Sequence, residues 1–298
     1  MVILALTALV GFVAQLIDGS VGMAFGVTAT SFLLVIGYGP AMSSAVVHLA
    51  EIGTSLASGT FHLRFGNVDR RVLLLVAIPG AIGAFFGATV LTSIDLSSAK
   101  PWTAALLLAL GVLIIVRFSG TAALRVPRRP RAAWLLPLGL FAGFVDASGG
   151  GGWGPIMTTS LTASDSLTSR RAIGTTNTAE FLVSVAASAG FLVGLGAASI
   201  QWTAVLALLV GGILAAPIAA KIVSVAPQRI LGLITGVVVV ILNTRQLGIS
   251  LQVRVEVLFA GVAVAALAGM IVITAGVRRH RAELRQAPTD NQVEDRGD

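Results

Sequence analysis

Apolar runs long enough to cross a lipid bilayer recur along this chain, and they restrict it to a membrane architecture before any motif is read. A helix needs about 20 apolar residues to span the hydrocarbon core. Such runs lie at 41–61, 72–92, 102–117, 172–194, 202–222 and 254–276, with a shorter one at 229–243. Of the 298 residues, 56% are hydrophobic and 11% charged, which is more apolar surface than one soluble core can hide. The expected class is an all-α polytopic membrane protein, with the lipid bilayer as its first partner. The first Lys or Arg is Arg64, so the apolar start lacks the basic leader of a secretory signal and reads as part of the mature protein. The net charge of +7 comes from basic residues placed between apolar runs and in the tail, where they set topology; no nucleic-acid partner is expected. With no Cys there is no disulfide framework, thiol nucleophile or thiolate metal site.

Two further apolar stretches, 2–37 and 134–162, are interrupted near their middles by IDGSVGMAFG (17–26) and VDASGGGGWGP (145–155). Four successive glycines followed by Trp153, Gly154 and Pro155 cannot continue a regular helix. Each stretch is therefore two half-helices or a re-entrant hairpin, and backbone broken at membrane depth must be buried in protein or face water. The interruptions match. GFVAQLID (11–18) aligns without a gap with GLFAGFVD (139–146), after which Ser20 meets Ser148, Gly22 meets Gly150 and Gly26 meets Gly154. One residue of slippage later, His48 meets Asn177, Glu51 meets Glu180 and Ser55 meets Ser184. These matches predict an internal duplication.

Loop charges set the orientation of the halves. The connection 61–71 holds Arg64, Arg70 and Arg71 while its counterpart at 195–201 has no Lys or Arg; 162–171 holds Arg170 and Arg171 while its counterpart at 38–40 has none. By the positive-inside rule the 61–71 loop, the five Arg from Arg117 to Arg131 and the Arg278–Arg285 tail are cytoplasmic. Equivalent loops then lie on opposite sides, which predicts an inverted-topology repeat. Arg245 and Arg254 fall on the outer side in this arrangement. The expected organisation is a first transmembrane repeat at 1–118, a basic cytoplasmic linker at 119–133, a second repeat at 134–245, an additional C-terminal transmembrane helix at 246–277 and a charged cytoplasmic tail at 278–298, polar and disordered.

Asp18, Glu51, Asp146 and Glu180 are embedded in apolar sequence. An ionised carboxylate at the centre of an inserted helix costs about 3 kcal/mol, so such a group faces the protein interior and either fastens helices or serves the transported species. Ser44, His48, Glu51, Ser55 and Gly59 share one helical stripe, repeated by Ile173, Asn177, Glu180, Ser184 and Ser188. Small residues in a stripe also serve close packing, which does not account for His48 or Glu51. Three His, no Cys and no HExxH pattern argue against a metal site, whereas His48, Glu51 and Glu180 suit proton transfer. The glycine-rich breaks suit either a hinge or an oxyanion site, since half-helix N-termini present free N–H donors and a positive dipole end.

GFVAQLIDGSVGMAFG, SSAVVHLAEIGTSLASGTFHLRFGNVD and GLFAGFVDASGGGGWGPIM resemble the sulfite exporter TauE/SafE family of membrane permeases, over about residues 5–245. The resemblance implies movement of sulfite, organosulfonates such as sulfoacetate and related sulfur compounds across the bacterial cytoplasmic membrane, usually outward. It places the paired glycine-rich segments on Asp18–Gly26 and Asp146–Pro155 and the polar second helices on His48–Ser55 and Asn177–Glu180. The first break has Met23 and Ala24 where the second has Gly151 and Gly152. The expected function is a secondary transporter of small sulfur-containing oxyanions, coupled to protons, without cofactor. Its expected substrate contacts are Asp18, Ser20, Gly22, Asp146, Ser148, Gly149, Gly150, Thr176 and Asn177, with His48, Glu51 and Glu180 as proton carriers. A permease for another small anion or ion, a membrane-embedded enzyme and a non-transporting assembly subunit are the alternatives, and a homo-oligomer is compatible with the sequence.

Overall fold

The computed structural model describes residues 1–120, 131–164, 167–225 and 227–286, and no strand occurs among them. The helices in chain order are α1 (Val2–Val21), α2 (Phe25–Val35), α3 (Pro40–Arg64), α4 (Arg70–Ser93), α5 (Leu96–Ser119), α6 (Ala132–Gly149), α7 (Trp153–Ala163), α8 (Ser169–Leu195), α9 (Trp202–Val225), α10 (Gln228–Ser250) and α11 (Val255–Gln286). Among the described residues six helices, α4, α5, α6, α8, α10 and α11, are long and apolar enough to cross a membrane. The run at 41–61 is helical throughout as α3, but its Ser, Thr, His48 and Glu51 lower its hydropathy. That polar face turns inward, with Ser44, His48, Glu51 and Ser55 all buried. Apolar stretches 2–37 and 134–162 are each two helices, α1 with α2 and α6 with α7.

Helices α1 to α5 have 20, 11, 25, 24 and 24 residues, and α6 to α10 have 18, 11, 27, 24 and 23. Their contacts correspond as well: α1 packs on α9 as α6 packs on α4, α2 meets α10 as α7 meets α5, and α3 meets α8 while α5 meets α10. Glycines make the two long crossings close. A Cβ on Gly83 of α4 would collide with the Leu140 carbonyl of α6, and one on Gly211 of α9 with the Ala8 carbonyl of α1. Between apolar helices in lipid, such close approach supplies the packing that the hydrophobic effect does not.

Three contacts place the helix ends. The Thr7 and Tyr38 hydroxyls lie 3.1 Å apart, so α2 ends beside the first turns of α1 and the chain doubles back at the break. Arg170 Nε donates to Asn67 Oδ1 at 2.6 Å, joining the turn after α3 to the start of α8. Arg229 pairs with Glu283 at 2.8 Å and Arg279 donates to the Ser119 carbonyl at 2.9 Å, joining the start of α10 to the ends of α5 and α11. His62 of α3 and Gln228 of α10 line one cavity, so these basic segments share one end of the molecule. Asp95 caps α5 outside the apolar run, and hydrogen bonds from Ser97 and Ser98 hold its carboxyl down at about 2.

Helix α10 runs to Ser250, and the tail expected to be disordered after Val277 stays helical to Gln286. Arg279 and Glu283, one turn apart, anchor that extension to α5 and α10. Most of the linker, residues 121–130, and the tail from 287 lie outside the described residues. Helix α11 packs on α10, and only 6% of its apolar stretch is buried. We expect Gly83→Leu and Gly211→Leu each to destabilise the protein by about 1–3 kcal/mol through overpacking. Thermal unfolding in detergent checks this, with Gly261→Ala, whose added Cβ would lie 3.9 Å from Thr244, leaving Tm unchanged.

Candidate functional site: an acid-lined cavity at two capped breaks

Each break is organised by one aspartate. Helix α1 ends at Gly22 in the left-handed conformation (φ 81°), whose N–H donates to the Asp18 carbonyl at 2.5 Å; α6 ends at Gly150 (φ 80°), whose N–H donates to the Asp146 carbonyl at 2.7 Å. Only glycine adopts such a φ without strain. The Asp18 side chain then turns forward, its Oδ1 accepting from Ala24 N at 2.7 Å and Phe25 N at 3.1 Å. Asp146 Oδ1 repeats this, accepting from Gly152 N at 2.6 Å and Trp153 N at 2.9 Å. A carboxylate at a helix N-terminus satisfies orphan donors and sits at the positive dipole end. The N-terminal donors of α2 and α7 expected to await an oxyanion are thus partly taken by the chain's own aspartates.

The remaining glycines let the breaks touch. A Cβ on Gly26 would sit 2.8 Å from Gly151 Cα and 3.0 Å from Glu51 Oε1, and one on Gly154 would sit 2.8 Å from the Met23 carbonyl. Thr30 Oγ1 donates to the Gly150 carbonyl, tying α2 to the second break.

The two aspartates differ in their second oxygen. His48 is fully buried, and its Nε2 lies 3.0 Å from Asp146 Oδ2 while its Nδ1 lies 2.8 Å from the Ser44 carbonyl. A carbonyl only accepts, so Nδ1 carries a hydrogen, and Nε2 of a neutral ring would then meet a carboxylate oxygen as acceptor to acceptor. One further proton must sit between them, giving either imidazolium and carboxylate or neutral ring and carboxylic acid. Asp18 instead lines a cavity of about 270 Å³ with Glu51, Glu180, Asn177, Gln15, Ser55, Ser58, His62 and Gln228 among its walls. Glu51 is only 4% exposed, and the Ser184 hydroxyl lies 3.5 Å from its Oε2. No Lys or Arg is among the described residues lining the cavity, and no group of three metal-ligating side chains was found among the described residues.

The cavity brings together Asp18, Gly22 and Asn177 of the expected substrate contacts with Glu51 and Glu180 of the expected proton carriers. Asp146, Ser148, Gly149, Gly150, Thr176 and His48 sit apart from it, around the second break. Gly149 abuts Leu106, and the buried hydroxyls of Ser148 and Thr176 have no partner. The side chain of Ser20 lies outside the described residues. Gln15, Ser58, His62 and Gln228 were not expected. Ser58 and His62 continue the stripe of Glu51 and Ser55, and Gln15 lies one turn before Asp18, so helical spacing could have found those three; Gln228 belongs to a distant helix and carries no local signal.

The sequence model of the family described as sulfite exporter TauE/SafE matches residues 7–246. The chain belongs to that family. It is 44% identical over 245 residues to the probable membrane transporter protein YtnM of Bacillus subtilis, covering 80% of this chain and 81% of that one. A probable membrane transporter protein of Haemophilus influenzae is 30% identical over 226 residues, covering 74% and 85%. No solved structure matches. Membership of the TauE/SafE family and the six candidate spans make this a multi-pass membrane transporter rather than an enzyme.

The capping geometry separates substitutions. Asp18→Ala and Asp146→Ala each remove a cap worth about 1 kcal/mol. Asparagine retains the accepting oxygen, so Asp18→Asn is mild, and Asp146→Asn is mild as well, its amide donating to Nε2 of a neutral His48 ring. Thermal unfolding of the four variants reads this order, and an asparagine variant as destabilised as its alanine counterpart would contradict the capping role.

Proposed function

We propose that this TauE/SafE member is a secondary transporter that carries a small sulfur-containing oxyanion, such as sulfite or an organosulfonate, through the cavity beside the first break, together with protons. The carrying observation is the lining: Asp18, Glu51 and Glu180 face one space of about 270 Å³ without Lys or Arg among its described walls. That volume lies below the range for drug-sized ligands and suits a small ion. Ionised carboxylates repel an anion, whereas protonated ones donate hydrogen bonds to it. Glu51 and Glu180 therefore take up protons as the anion enters, with Asn177 and Ser58 as neutral donors and His62 on the same wall. Substrate and protons then move in the same direction.

In this proposal α1–α5 and α6–α10 form an inverted-topology repeat, and the α1–α2 and α6–α7 hairpins are re-entrant. The supporting features are the Thr7–Tyr38 contact at one end and the gathering of Arg170, Arg229 and Arg279 at the other. By the positive-inside rule the arginine-rich end, the 119–133 linker and the C-terminus are cytoplasmic in a bacterial cell membrane. The cavity runs along α3 from Glu51 to His62, toward that end, so substrate loads from the cytoplasm and export is the direction proposed. The same acid lining favours a second reading, a small cation as cargo.

Flux of labelled sulfite and sulfoacetate in proteoliposomes tests both. Flux is expected to rise when a proton gradient runs in the substrate's direction, and Glu51→Gln with Glu180→Gln is expected to abolish that dependence. Flux indifferent to the gradient removes proton coupling. Absence of flux for either anion, with inorganic cations carried instead, replaces the anion by a cation.

A further inference from the structure

The two ends of α11 use their charges differently. At its start Arg254 lies 3.6 Å from Glu256, so the arginine there has a counter-charge. The C-terminal extension carries Arg278, Arg279, Arg281 and Arg285, with Glu283 as the one acid within 278–286. Glu283 is taken by Arg229 of α10 at 2.8 Å and Arg279 donates to the Ser119 carbonyl of α5, so both are turned toward the protein. With 3.6 residues per turn, Arg278, Arg281 and Arg285 fall on the other side of the helix. All three are exposed, and with Ala282 they line a shallow cleft of about 340 Å³ that has no carboxylate among its described walls.

This arginine face continues an apolar one. Leu267, Ile271, Thr274, Arg278, Arg281 and Arg285 follow one another at intervals of three and four, a single stripe of the helix. Leu267 and Ile271 are 59% and 70% exposed, so this part of the stripe lies against hydrocarbon. From Val255 to Val277 the helix rises about 33 Å, close to the hydrocarbon thickness of about 30 Å. Arg278 therefore stands at the edge of the core, with Arg281 and Arg285 about 5 and 10 Å beyond it, in the headgroup layer. Orientation by the positive-inside rule needs only charge at this end, which Arg70, Arg71 and Arg279 already supply; it does not require three guanidiniums on one stripe without a carboxylate partner among the described residues.

We propose that this face of α11 binds the phosphate of an anionic phospholipid, with Arg278, Arg281 and Arg285 hydrogen-bonding its oxygens and its acyl chains lying along Leu267 and Ile271. Guanidinium forks match phosphate geometry, and basic clusters beside a transmembrane helix attract anionic headgroups. A second copy of the chain is a poorer occupant, because a two-fold axis along the membrane normal would set the same arginines against each other across the stripe. The site lies outside the acid-lined cavity and does not depend on the identity of the cargo.

Titration of the purified full-length protein in an uncharged detergent, read as Tm, tests this with short-chain phosphatidylglycerol, phosphatidylcholine of the same chain length and inorganic phosphate. Phosphatidylglycerol is expected to raise Tm saturably, and the other two to leave it unchanged. Arg278→Gln, Arg281→Gln and Arg285→Gln are each expected to raise the half-saturating concentration about fivefold. The triple variant is expected to lose the response while keeping its lipid-free Tm, and Arg254→Gln, at the other end of α11, to respond like the unmodified protein. An equal rise with phosphatidylcholine, or a triple variant that still responds, overturns the site. The same rise with inorganic phosphate overturns the lipid in favour of a free anion. A dimer that falls to monomer mass in the triple variant, with no response to phosphatidylglycerol in the unmodified protein, overturns it in favour of a second copy.

Discussion

Backbone that leaves a helix inside hydrocarbon has no water to satisfy it, and in this protein two aspartates meet that constraint. Asp18 and Asp146 each close one helix through a carbonyl and open the next through a carboxylate oxygen, so the chain reverses within four residues without stranding the first donors of α2 or α7. Everything proposed for function depends on these reversals. They place Gly26 against Gly151, bring α3 and α8 alongside both breaks, and leave carboxylates at a depth where only a protein-lined space tolerates them.

From nearly the same construction the two halves build different environments. At the second break, the spare oxygen of the aspartate is bound by His48, and Trp153 and Phe191 fill the space around it. At the first, the counterpart of His48 is Asn177, the counterparts of Trp153 and Phe191 are Phe25 and His62, and a cavity remains. Part of this asymmetry is written in residue types and persists in any conformation. In the conformation described, the Trp153 and Phe191 rings are fully buried at the second break, while the cavity beside the first extends along α3 from Glu51 to His62. A transporter needs both kinds of difference: bistable packing to exchange access, and unequal lining so that loading and release differ in affinity.

Much of the helical architecture was legible because lipid enforces it. Run length marked the helices, and charge marked the end at which Arg170, Arg229 and Arg279 gather. Gapless alignment of the two aspartates located both breaks, and the stripe through Ser44, His48, Glu51 and Ser55 identified the buried face of α3. What the aspartates do was not legible, because capping is a matter of side-chain direction, and an intramembrane acid looks the same in sequence whether it binds backbone, substrate or proton. The pairing of His48 with Asp146 was equally hidden, since 98 residues separate them and the internal match pairs His48 with Asn177 instead. The two breaks occupy matched positions in sequence, yet Gly26, Gly151 and Gly154 serve contact between them, and the cavity is lined by Asp18 and Gly22 of the first.

The central claim is that an acid-lined cavity accepts an anion by taking up protons with it. Calorimetric titration of the purified transporter with sulfoacetate, repeated in buffers of different ionisation enthalpy at one pH, counts protons exchanged on binding. The account predicts net uptake, about one proton for each carboxylate neutralised beside the anion, lost in the Glu51→Gln, Glu180→Gln double variant. Binding of the same anion at the cavity with no proton uptake in the unmodified protein would contradict it.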